Sequence, residues 1–225
     1  MVRFNFTVTY ADAQPSFTTT RVTLSNAPDY LKPYQEAVEA HGGTFDATLW
    51  RSKEGQALRF KVFCDFIDFN DCSILDVGCG IGDFADYLVK RDVSFSTFHG
   101  VDAMEAMVKT AMNRNLAKST FTTADVLRTP NFFRGDWITF SGTLNAMDET
   151  AAMKLIDDAF DASSKGVAFN FLSNQSGREP KSEDLSPAAR FNTTAWVEHA
   201  FTLTPNVDFT QSYLHGHDAT IVLRK

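Results

Sequence analysis

Ser73-Ile74-Leu75-Asp76-Val77-Gly78-Cys79-Gly80-Ile81-Gly82-Asp83-Phe84 joins an apolar strand to a glycine-rich turn and then to a helix. Such a run turns the backbone tightly at the mouth of a parallel sheet, where glycines let a ligand approach without a Cβ in the way. The spacing is Gly-x-Gly-x-Gly, and Asp83 stands where a dinucleotide fingerprint has its last glycine. Asp76 and Asp83 therefore put a carboxylate on each side of the loop. A pyrophosphate needs a helix N-terminus free of competing negative charge, so the pattern opposes a dinucleotide. It favours a ligand that carries positive charge.

Downstream segments continue the alternation of helix and strand. Phe84, Ala85, Leu88 and Val89 form the inner face of a short helix, and the strand from Phe95 to Val101 ends at Asp102. An acidic residue at the end of a second strand is placed to hold a ribose diol. Asp102-Ala103-Met104-Glu105 also fits a capping box, and the two roles are compatible. A third strand, Thr120 to Thr123, ends at Ala124-Asp125-Val126, where an adenine amino group could be read. A cationic adenosyl ligand, S-adenosylmethionine, suits the whole set.

Ile74 to Phe84, Gly100 to Met104 and Thr123 to Val126 resemble motifs I, II and III of the class I S-adenosylmethionine-dependent methyltransferases. The resemblance runs from about Trp50 to the C-terminus. It implies an α/β fold: a Rossmann-like, seven-stranded, mostly parallel sheet with helices on both faces. It also implies that Asp76, Gly78 and Gly80 contact the methionine part of the cofactor, Asp102 the ribose and Met104 the adenine face. Asp125 and the N–H of Val126 would read the adenine edge. Val77, Cys79, Asp83, Ala103 and Ala124 lie in the same loops, with Ser141 and Gly142 at the end of the fourth strand, and complete the expected cofactor set. Gln56, Arg59 and Phe60 resemble a Q..RF pattern found in one subgroup. The planar fork of Arg59 could hold the cofactor carboxylate, or Arg59 is a solvated helix arginine.

The 225 residues suffice for one α/β domain with additions, and a formal net charge of −7 argues against a nucleic-acid backbone as partner. Cys64, Cys72 and Cys79 form no metal-ligand or CxxC spacing, so free thiols in a reducing cytoplasm are expected. No apolar run reaches the length of a membrane span.

Residues 2–10 and 17–24 alternate around a Pro-containing turn and predict an N-terminal β-hairpin. With the helix that follows Pro28 and stops at Gly42-Gly43, it makes residues 1–49 a cover or an oligomerisation element ahead of a 50–225 domain. A homo-oligomer could form through the hairpin. Ser52 is placed to cap a helix that buries Leu58, Val62, Phe63, Phe66 and Ile67, and Asp148 one that ends before a fifth strand opening at Gly166. The polar stretch 173–190 reads as a loop with a possible lid role.

Tyr30, Tyr34, Trp50 and Asn145 are the expected acceptor contacts. If the sixth strand is parallel and the seventh antiparallel, the turn His215-Gly216-His217-Asp218 lies at the sheet edge that carries the glycine loop. His215 or His217, oriented by Asp218, is then a candidate general base, or the turn is purely structural. The expected activity is methyl transfer to a small-molecule acceptor. A binding module without catalysis, or a protein or RNA methyltransferase, is the alternative.

Overall fold

A computed structural model describes residues 28–129, 133–175 and 188–225. The expected hairpin lies outside these residues, as do positions 176–187 of the expected loop. A short 3-10 turn, Asp29–Leu31, leads into α1 (Lys32–His41), which ends at Gly42 with φ 63°. The chain continues through α2 (Lys53–Phe66), β1 (Ser73–Val77), α3 (Asp83–Val89), β2 (Thr97–Asp102), α4 (Glu105–Asn113) and β3 (Ser119–Thr123). It then forms β4 (Gly135–Phe140), α5 (Glu149–Ala162), β5 (Ser163–Leu172), α6 (Thr193–Leu203), β6 (Val207–Thr210) and β7 (Asp218–Arg224). As expected, the Ser52 hydroxyl caps α2 through the N–H of Gly55, and Asp148 caps α5 through Thr150 and Ala151.

The strands form one seven-stranded sheet in the order β3-β2-β1-β4-β5-β7-β6. Strands β1 to β5 are mutually parallel, and β7 pairs antiparallel with both β5 and β6. Chain order reverses between β1 and β4, which opens a crevice at the C-terminal ends of the strands. Strand alternation feeds two cores. Leu75, Val77, Ile138 and Phe140 face α5 and α6, while Ile74, Phe98 and Trp137 face α2 and α3. A third cluster seats α1 on the loop edge: Leu31, Ala37 and Ala47 pack against Ile81, Met104 and Met107.

Three local expectations are corrected. β5 begins at Ser163, directly after α5, and Gly166 lies inside it; a Cβ there would stand 2.0 Å from the Leu223 carbonyl oxygen, so close strand approach explains that glycine. α2 buries Gln56, Arg59, Phe60, Val62 and Phe63, while Leu58 and Phe66 are only half-buried. The helix is rotated because its inner face carries polar side chains that pair with other elements as well as apolar ones. The sequence pattern predicts the sixth strand near Asp208 to Leu214, whereas β6 ends at Thr210 and the segment Leu214–Gly216 is a 3-10 turn.

Phe84 sits among Phe60, Phe63, Phe69 and Phe98, with ring centroids 5.0, 6.0, 5.8 and 6.1 Å away. It anchors the helix that follows the glycine turn. Phe84→Ala should lower unfolding free energy by about 3–5 kcal/mol in urea titration; a loss below about 1 kcal/mol would show that this cluster does not hold the loop.

Candidate functional site

The end of β1 passes into a turn in which Gly78, Gly80 and Gly82 have φ of 74°, 53° and 80°. At Gly78 a Cβ would also stand 2.3 Å from the Thr143 hydroxyl oxygen, so the turn and the β4 end meet where only glycine fits. The N–H groups of Gly78 and Cys79 donate to the carbonyl of Val101 at 2.8 and 3.1 Å. Asp102 completes the link: its carboxylate accepts from the N–H of Gly80 at 2.8 Å and from that of Met104 at 2.8 Å. The helix itself begins at Glu105 and takes no side-chain cap, so Asp102 braces two loops and does not cap α4.

These loops enclose a cavity with about 980 Å³ of empty space, part of it open to solvent. Its described lining holds four carboxylates, Asp76, Asp83, Asp102 and Asp125, and no lysine, arginine or histidine. Asp76 is buried, accepts a hydrogen bond from the Thr139 hydroxyl at 2.8 Å, and is pushed up to about 7 by desolvation. Burial also raises Asp102 above the ordinary carboxylate value, against the opposing pull of its backbone donors. Asp83 is held by Arg114 at 2.6 Å and by the amide of Gln56 at 3.2 Å. Its charge is thus largely answered by a cation, which weakens the sequence argument that Asp83 repels a pyrophosphate.

The cover supplies the aromatic walls. The Tyr30 hydroxyl donates to Asp125 at 2.6 Å, and burial followed by that carboxylate drives its pKa well above the ordinary phenol value. Tyr34 is pushed up to about 12 by burial and by Asp102. The Trp50 ring packs onto Gly142, where a Cβ would come within 2.3 Å of it, and the Arg59 guanidinium lies 4.5 Å from its centroid.

Of the expected residues, Tyr30, Tyr34, Trp50, Asp76, Val77, Gly78, Cys79, Gly80 and Asp83 line the cavity. Asp102, Ala103, Met104, Ala124, Asp125, Val126, Ser141 and Gly142 do so as well. Five others are placed elsewhere. Arg59 is buried in a bidentate ion pair with Asp218, its Nη2 2.7 and 2.6 Å from the two carboxylate oxygens. That pair occupies both Arg59 and Asp218, and no residue of the turn is in the described lining of the cavity. His217 Nδ1 is 3.1 Å from Asp218, and His215 is exposed. The turn does reach the C-terminal edge of the sheet, but it is tied to the segment after β5 through Ser173, whose N–H donates to the His217 carbonyl at 3.0 Å. Asn145 is consumed structurally: its amide donates to the Ala189 carbonyl at 2.5 Å and accepts from the N–H of Leu172 at 3.0 Å.

Sequence reasoning missed Leu31, Thr48, Ile81, Thr143, Met147 and Leu127 as wall residues. Thr143 follows Gly142 directly, and its hydroxyl donates to the Val77 carbonyl at 2.8 Å, a placement that strand-end proximity could have suggested. Leu31 and Thr48 carry no such signal.

Residues 74–166 match the family model for a methyltransferase domain. The fold is similar to magnesium protoporphyrin IX methyltransferase from Synechocystis PCC 6803 with bound SAH, at 14% identity over 87% of this chain and 94% of that chain, with TM-score 0.61. It is also similar to Haemonchus contortus phosphoethanolamine N-methyltransferase 1, at 10% identity over 90% of this chain and 50% of that chain, with TM-score 0.66. A third similar structure is the small RNA methyltransferase HEN1, at 17% identity over 75% of this chain and 25% of that chain, with TM-score 0.61. At these identities the likeness is one of fold. Comparison of the sequence with curated proteins gave no match.

Two outcomes follow from the geometry. Removing one partner of the Arg59–Asp218 pair strands a buried charge, so Arg59→Ala or Asp218→Ala should each cost about 3–5 kcal/mol in chemical denaturation; near-neutral effects would show the pair to be dispensable. Asp76 binds a proton in the folded chain between the ordinary value of 3.8 and about 7, where the unfolded chain has lost it. Folded Asp76 therefore adds stability on the acid side that disappears as pH rises through 7. Thermal denaturation of Asp76→Asn and wild type should show the variant gaining relative stability from pH 5 to pH 8; a pH-independent difference would contradict the raised pKa.

Proposed function

We propose that this chain, whose residues 74–166 match a methyltransferase domain, is a class I S-adenosylmethionine-dependent methyltransferase that moves the cofactor's methyl group to a small-molecule acceptor. The observation that carries this reading is the cavity itself: four carboxylates and a glycine turn at the strand ends, closed over by the aromatic residues of a cover.

The residues present fit the cofactor. Asp76 is a buried carboxylate raised to about 7, which a cationic ammonium would stabilise in its ionised form. Asp102 engages each oxygen with one backbone N–H, and a carboxylate has further lone pairs to accept from ribose hydroxyls. Asp125 and the N–H of Val126 stand at the β3 end, and Met104 is an apolar wall beside them. Arg59 is left out of this set, since its guanidinium is spent on Asp218.

When bound, S-adenosylmethionine supplies a methyl carbon already activated by the adjacent sulfonium. The protein's task is then alignment and exclusion of water. Trp50 is fixed from behind by Arg59 and from below by Gly142, and Tyr30 is fixed by Asp125. These two rings, with Tyr34, wall the cavity from the cover side. No imidazole lies in the described lining, and a proton lost by the acceptor atom would go to solvent or to a wall carboxylate.

A small acceptor is supported by the cover over the site, by the net charge of −7 and by the absence of lysine or arginine from the described lining. Calorimetry should show binding of S-adenosylmethionine and S-adenosylhomocysteine but not NAD, and Asp102→Ala should weaken binding by about 1–3 kcal/mol. NAD binding without a response to either adenosyl ligand would overturn the reading.

A further inference from the structure

Strand order places β2 and β3 on one side of β1 and β4 on the other, and the cover crosses both sides. Trp50 packs on Gly142, just after β4. Tyr30 and Tyr34 pack instead with the apolar cluster of Leu31, Ile81, Met104 and Met107. Tyr30 donates to Asp125, just after β3, and the charge of Asp102, the last residue of β2, acts on Tyr34. The two tyrosines therefore stand over the side of the cavity proposed to take the adenosine, and the tryptophan over the other.

The segment that carries Tyr30 is tied down at both ends. Beyond α1 the Gly43 carbonyl accepts from the Thr110 hydroxyl of α4 at 2.7 Å, and a Cβ at Gly43 would stand 2.3 Å from the Ala106 carbonyl oxygen, so the far end lies directly on α4. At the near end the Tyr30 hydroxyl meets one oxygen of Asp125 at 2.6 Å, while the Leu127 N–H meets the other at 3.1 Å. Arg128 stands 3.6 Å from this carboxylate with its side chain 57% exposed, so it does not fix the group. Burial followed by the carboxylate raises the Tyr30 phenol well above its ordinary value, and Tyr30 acts as a donor. One donor on each oxygen sets the plane of the Asp125 carboxylate and leaves further lone pairs on both. Held in this way, it accepts from an amino group and is left facing a second acceptor by an oxo group.

From this placement we propose that Tyr30 determines base specificity at the cofactor site: by holding Asp125 in one orientation, it makes that carboxylate select a purine with an amino group over one with an oxo group at the same position. Tyr30 acts through Asp125, so it is a positioning residue on the cofactor side and not an acceptor contact. The inference rests on the methyl-transfer reading above and deepens its cofactor end.

S-adenosylhomocysteine and S-inosylhomocysteine, which has an oxo group where adenine has its amino group, serve as probes. Calorimetry on the full chain measures both in wild type, Tyr30→Phe and Asp125→Ala, with Tyr30→Leu read in the same way if Tyr30→Phe does not fold. Wild type should favour S-adenosylhomocysteine by about tenfold or more. Tyr30→Phe should narrow that ratio by about threefold or more, and Asp125→Ala at least as far. A tyrosine that only holds the cover in place would weaken both ligands equally when changed, and an unaltered ratio therefore overturns the inference. Equal binding of the two ligands by wild type, or a wild-type ratio in Asp125→Ala, overturns it as well. If neither ligand binds wild type, the methyl-transfer reading itself fails; if S-adenosylhomocysteine binds and the ratio does not respond, only the base-specificity inference does.

Discussion

The site depends on one carboxylate with two backbone donors. Asp102 ends β2, and by accepting from the N–H groups of Gly80 and Met104 it holds the turn after β1 and the start of α4 in a single arrangement. Backbone N–H groups at such a turn would otherwise need water, and charge-assisted hydrogen bonds are among the stronger ones available. The glycine turn can therefore take its positive-φ path while the loop around it stays fixed. Burial raises the pKa of Asp102, so the brace is held at some electrostatic cost.

A second constraint acts from the other side of the crevice. Arg59 from α2 and Asp218 from β7 lie 159 residues apart and form a buried bidentate pair, with the guanidinium also stacked on Trp50. Gly142 at the end of β4 leaves the room that the indole fills. The ion pair thus acts on the cavity through an aromatic ring, and it removes from the cavity the one arginine that the local pattern made a candidate for cofactor binding. A well-packed apolar pair could hold the same elements with comparable stability, so the geometric value of the pair lies in fixing Trp50.

Burying a carboxylate at a strand end with no cation beside it weakens the folded protein. Asp76 shows this most directly: it is buried, its side-chain hydrogen bond comes from a neutral hydroxyl, and its pKa stands near 7. Such a group disfavours folding above neutral pH until a positive ligand stabilises its charge. Asp83 differs because Arg114 is already beside it. Two carboxylates that flank the same loop in sequence therefore have unlike electrostatic roles.

Much of the architecture was legible in the chain. The apolar strand, glycine spacing and downstream acidic residues marked β1, β2 and β3 and the edge where a ligand sits, because backbone sterics and strand periodicity are local. Ser52 and Asp148 announced their helices by the same local chemistry. What lay beyond local reading was pairing across the fold. Arg59, His217 and Asn145 have side chains suited to a site, yet Asp218, the segment after β5 and Ala189 claim their polar groups or their turn. Leu31 and Thr48 reach the cavity only because α1 packs on Ile81 and Met107. The sequence by itself determined the order of elements, the glycine loop and the acidic strand ends. Only the tertiary structure decided which charges face the cavity and which are neutralised behind it, because an ion pair depends on distance in space and these partners are far apart along the chain.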